Sequence, residues 1–119
     1  MHRIPKNLDL SPVVGEFTSQ IGIGPGDFQI AFGPVHFSVY SPIKVLREGE
    51  VVAKWTEGSW PTSGFYEILN AEVLSCKAIN DRQIVFDFVN GLSMVLEDDT
   101  DQYESFQIIF KGESDSWII

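Results

Sequence analysis

The densest charge in the chain is Glu97-Asp98-Asp99-Thr100-Asp101-Gln102-Tyr103-Glu104, five carboxylates in eight residues with no base between them. Carboxylate oxygens are the hard ligands that Ca²⁺ prefers, so a cation loop is the first chemistry to weigh. The spacing departs from the EF-hand template, which needs acids at alternating positions, a Gly at the sixth and a Glu at the twelfth. Asp99 and Asp101 could instead serve a metal–nucleotide site, but the phosphate-binding elements of such a site are missing from the sequence. Two readings remain. One is a solvated loop between strands, the usual fate of a charge run; the other is a surface that meets a basic partner. The partner reading assigns Glu97, Asp98, Asp99, Asp101 and Glu104 to the contact, and expects Asp→Asn changes at 98, 99 and 101 to leave folding intact.

A second candidate surface is Lys54-Trp55-Thr56-Glu57-Gly58-Ser59-Trp60-Pro61. Exposed, Trp55 and Trp60 are binding anchors; buried, they are ordinary core or turn packing. The glycines of Gly22-Ile23-Gly24-Pro25-Gly26 do not make a phosphate cradle, because Asp27 stands where the dinucleotide fingerprint needs its third Gly. They predict a turn. His36 shares a strand face with Ser38 and Tyr40, which formally permits a Ser–His–acid relay, but no Gly-x-Ser-x-Gly elbow accompanies it. Cys76 has only His2 and His36 as potential bases and reads as a buried structural thiol. No motif is complete. The chain is therefore expected not to be an enzyme and to carry neither cofactor nor metal.

The 119 residues include 8 basic and 17 acidic side chains, a net charge of −9. That balance argues against nucleic acid or an anionic membrane as partner, since phosphate binding is driven by clustered Lys and Arg. A single Cys excludes an internal disulfide. The first twelve residues lack the apolar core of a secretory signal, and no stretch is long enough for a membrane helix. A cytoplasmic domain is the expectation.

The elements that must position these residues are short. Ten Gly and six Pro interrupt the chain before most helices could complete three turns. Between them apolar residues alternate, as in Phe28/Ile30/Phe32, Val35/Phe37/Val39, Val51/Ala53/Trp55, Leu74/Cys76/Ala78, Ile84/Phe86/Phe88 and Phe106/Ile108/Phe110. This period predicts half-buried strands, and Glu48-Gly49-Glu50 and Asn90-Gly91 predict the hairpins that pair them antiparallel. The helical candidate is Ser63–Asn70, about two turns at best. The expected fold is mainly β, an antiparallel sandwich or barrel-like single domain over residues 1–119. Phe32, Phe37, Ile84, Phe86, Phe88, Leu92, Met94, Phe106 and Ile108 form the expected core. A faint internal echo pairs Gln29-Ile30-Ala31-Phe32 with Gln83-Ile84-Val85-Phe86 and Phe37-Ser38-Val39 with Leu92-Ser93-Met94. It divides the domain into possible halves at 13–60 and 69–119.

The C-terminal run Tyr103-Glu104-Ser105-Phe106-Gln107-Ile108, then Gly112 and Trp117-Ile118-Ile119, is similar to the ending of a family of small bacterial all-β domains. Gln29-Ile30-Ala31-Phe32-Gly33 extends the resemblance more loosely into the first half. Some such acidic domains are immunity proteins of contact-dependent or polymorphic toxin systems. The resemblance implies an immunity protein that binds and occludes a cognate toxin domain, and brings no catalytic or metal-binding residue with it. The alternative is a small acidic binding or accessory domain for another ligand.

Overall fold

Period-two alternation between turns of a few residues leaves the chain one way to bury its Phe, Ile and Val side chains, which is to stack two sheets face to face. The computed structural model describes residues 3–100, 103–112 and 116–119. Its strands are β1 (Thr18–Ile23), β2 (Phe28–Phe32), β3 (Val35–Val39), β4 (Ile43–Arg47), β5 (Glu50–Trp55), β6 (Val73–Ala78), β7 (Gln83–Phe88), β8 (Leu92–Glu97), β9 (Phe106–Phe110) and β10 (Trp117–Ile118). They form two five-stranded antiparallel sheets, in the orders β1-β2-β3-β9-β10 and β5-β4-β8-β7-β6. The mainly β architecture expected from the alternation is the one observed. Among the described residues the helical elements are two 3-10 turns, Ser11–Val13 and Ser63–Ile68. None of them is long and apolar enough to cross a membrane.

The core lies between the sheets. All nine residues expected there are buried. Phe86 sits among other rings, stacked on Phe32 at 5.0 Å and edge-on to Phe37 at 5.3 Å. Offset and edge-to-face pairs of this kind add to the area that the rings bury.

The topology repeats. Substituting β6–β10 for β1–β5 in the first sheet, and the reverse, generates the order of the second. The details repeat too. β1 carries a bulge between Thr18 and Gln20, and β6 carries one between Val73 and Ser75. Gly15 and Asn70, one just before each of these strands, both have positive φ, 86° and 62°. At the seam where β1 and β6 begin, Phe17 bridges Glu72. Around that bridge the backbone bonds come in matched pairs: Gly15 N–H to Val73 O with Asn70 N–H to Thr18 O, both 2.8 Å, and Thr18 N–H to Ala71 O with Val73 N–H to Glu16 O, 3.0 and 2.9 Å. This is a pseudo-two-fold relation with its axis through the Phe17–Glu72 bridge. The pairing register matches Phe32 with Phe88, since they face Thr18 and Val73 respectively. The echo read from sequence, Phe32 with Phe86, lies two residues away from this; a slip of two keeps every side chain on its own face.

Alternation breaks at the bulges. An extra residue in a strand turns the residues on one side of it over. Leu74 is thus exposed while Val73 and Cys76 are buried, and Val51 is exposed while Ala53 and Trp55 are buried. Beyond β5 the chain turns back against that strand through Gly64, where a Cβ would lie 2.5 Å from the Val52 carbonyl oxygen.

Candidate functional site

Both crossings between the sheets, Val39 to Ile43 and Leu96 to Phe106, emerge at the same end of the sandwich, and the backbone ties them to each other. Tyr40 N–H donates to Ser105 O at 2.8 Å and Glu97 N–H to Pro42 O at 3.3 Å. The β1–β2 hairpin reaches the same end. There Gly58 N–H donates to Pro25 O at 3.1 Å, which pins the turn that follows β5 to the hairpin. Ser59 holds that turn closed by donating its hydroxyl to Thr56 O at 2.7 Å.

Between these segments lies a groove of about 890 Å³. Tyr40, Pro42, Tyr103 and Ile118 supply apolar and aromatic surface; Glu57, Asp99 and Glu104 supply carboxylates; Gly26, Ser41, Thr56 and Thr100 complete it. No Lys or Arg is among these lining residues. The charged side chains in this lining are therefore all acidic. Burial holds the Tyr40 phenol above its ordinary value, and the charges of Glu104 and Asp27 push it further the same way.

The residues singled out in the sequence are divided by the structure. Asp99 and Glu104 line the groove. Glu97 does not: it pairs with Lys44 at 3.3 Å on the outer face of the second sheet. Asp98 is 2% exposed and belongs to the fold. Its carboxylate accepts from Arg3 Nη1 at 2.8 Å and from the Ser105 hydroxyl at 2.7 Å. The assignment of Asp98 to a partner surface is therefore corrected, because a carboxylate closed over by an arginine and a serine cannot meet a partner without unfolding the crossing. Asp101 lies outside the described residues.

The tryptophans separate as well. Trp55 is 1% exposed and packs on Phe28 at 5.6 Å, so it leaves the expected surface and joins the core. Trp60 is 91% exposed. Ser41 and Pro42 were missed; Glu57 was noted only as part of the Lys54–Pro61 segment and Tyr40 only as a neighbour of His36, neither as a contact residue. A sequence signal exists for them, in that Tyr40-Ser41-Pro42 and Thr56-Glu57 directly follow two alternating runs.

Elsewhere the candidate chemistry does not assemble. Ser38 donates to Gln29 Oε1 at 2.8 Å and His36 Nε2 bonds the same oxygen, so the two converge on an amide instead of on each other. Cys76 is buried, and burial pushes its thiol far above the ordinary range, away from the reactive thiolate. Among the described residues no three His, Cys, Asp or Glu side chains gather as a metal site would require. Comparison with protein-family models, with curated proteins and with solved structures finds no match for this chain.

Proposed function

We propose that this domain is a binding protein whose working surface is the acidic, tyrosine-lined groove, and that it acts as an immunity protein by occluding a cognate toxin. The observation that carries the binding part is the groove itself, with three carboxylates and two tyrosines around one concavity and no basic side chain among the described residues that line it. Tyrosines supply large contact area at small entropic cost, and single-sign charge at a rim accelerates encounter with an opposite patch. The net charge of −9 extends the same field over the molecule. The toxin part is supported by the resemblance of the Tyr103–Ile119 region. It has a physical rationale in the cationic clefts of nucleases, which an acidic surface can fill in place of phosphate.

Growth reports on this directly. The immunity reading expects a toxin-like domain encoded beside this gene that arrests cells when expressed alone, and expects co-expression of this protein to restore growth. A triple change of Glu57→Gln, Asp99→Asn and Glu104→Gln should weaken the rescue. Arrest that persists with the parent protein present at equal level would overturn the immunity reading.

A further inference from the structure

We infer that the groove is a socket for a guanidinium: an arginine on an exposed loop of the partner enters beside Tyr40 and Tyr103, within a rim that carries the carboxylates of Glu57, Asp99 and Glu104. This deepens the partner-binding reading and rests on it, though not on the partner's being a toxin.

The argument comes from the other half of the molecule. By the pairing register Val39 faces Phe106 as Leu96 faces Ile43, so Ser41 and Asp98 stand at matching places, each two residues beyond its strand's last core residue. Similarly, Ile4 N–H donates to Asp81 O beside one hairpin as Gly58 N–H donates to Pro25 O beside the other. The residues just before them, Arg3 and Glu57, are therefore counterparts. In the second half the chain fills its own socket, with the Arg3 guanidinium 2.8 Å from the Asp98 carboxylate. In the first half the arginine is replaced by an acid, and none of the described residues lining the groove supplies the cation that the matching place holds.

Ser41 carries the second sign. It lines the groove and is 3% exposed, and its hydroxyl has no hydrogen-bond partner among the described residues. Buried hydroxyls are nearly always satisfied, and one left unpaired is costly. Its counterpart Asp98 is satisfied by a guanidinium. An incoming guanidinium has five N–H donors in a planar fork, enough to reach a hydroxyl and carboxylates together, and its face stacks on tyrosine. A lysine ammonium is compact and strongly hydrated, and offers no such plane.

The test is a titration of the ¹⁵N-labelled protein with Nα-acetyl-arginine amide, read by amide chemical shifts. The neutral isostere Nα-acetyl-citrulline amide and Ca²⁺ alone serve as comparisons. Saturable shifts are expected at Tyr40, Ser41, Glu57 and Glu104, at least about five-fold smaller for citrulline because the charge is what the rim recognises. Glu57→Gln with Glu104→Gln, both on exposed residues, should abolish them. Ser41→Ala should weaken them while the protein stays folded. Equal shifts with citrulline, shifts with Ca²⁺ at the same amides, or arginine shifts elsewhere on the molecule would overturn the socket. Growth rescue that fails while arginine still titrates the groove would remove the toxin reading alone. Rescue without arginine binding would remove the socket alone.

Discussion

Ser41 and Asp98 stand at equivalent places on the two crossings between the sheets; both are buried, and among the described residues the Ser41 hydroxyl has no hydrogen-bond partner while the Asp98 carboxylate has two. The two halves thus share a backbone plan but differ in what they have done with it. In one half the crossing is locked by the N-terminal segment through Arg3. In the other it borders an open, acidic groove.

The locked half gives a stability prediction. The Asp98 side chain is fully buried and that of Arg3 is 27% exposed. Arg3→Ala leaves the carboxylate without its cation and should cost about 3 kcal/mol, in the range for breaking a buried pair by removing one member. Asp98→Asn should also destabilise, contrary to the expectation that charge removal along 98–101 leaves folding intact. Urea melts of both single variants and the double variant would check this. The double variant should lose clearly less than the sum, because residues in one ion pair are coupled.

In the open half the sign reverses. Ser41→Ala deletes an unsatisfied buried hydroxyl and should raise stability by about 1 kcal/mol. The same variant should bind a partner less well. A melting temperature that falls would show that the hydroxyl is satisfied in solution.

Tyr40 should report the groove's potential. Its phenol is raised by burial first, then by Glu104 and Asp27. The fold therefore disfavours the phenolate. The stability this contributes is fully present below the ordinary value of 10.0 and is lost as pH rises through the folded value. Ultraviolet difference titration of the parent against Tyr40→Phe should show a late-titrating tyrosine, and Glu104→Gln should bring it down. An unchanged midpoint in Glu104→Gln would place that carboxylate away from the groove.

Packing gives the simplest number. Phe86→Ala should cost about 3–5 kcal/mol, because a cavity replaces a ring enclosed by Phe32, Phe37 and Phe88. A loss below about 1 kcal/mol would be a surface value.

The central strands were legible because they are regular. β2, β7 and β9 alternate without interruption, and β3 does so but for the buried Ser38, so Phe32, Phe37, Phe86 and Phe106 declare their face in the sequence. The outer strands β1, β5 and β6 were less legible: pairing is irregular at Thr18/Gln20, Val45/Leu46 and Val73/Ser75, and a bulge moves neighbours to the other face without altering composition. Of the acidic stretch, the sequence shows the charge and not its distribution. Glu97 ends on a sheet face, Asp98 in the interior and Asp99 in the groove because a strand ends and the chain turns inward at that point. Glu57 was hidden for a different reason. It joins Asp99 and Glu104 only through the meeting of β5's end with the crossings, a contact distant in sequence.

The most direct measurement is the association rate of the purified partner domain with the parent and with the Glu57→Gln, Asp99→Asn, Glu104→Gln variant, each at low and at high salt. Charge steering is screened over a Debye length of about 10 Å at 0.1 M salt, so its contribution should vanish as ionic strength rises. The groove account predicts that the variant associates several-fold more slowly at low salt and that the two rates converge at high salt. Equal rates at low salt would contradict it, and would turn attention to the exposed Trp60 as the next anchor.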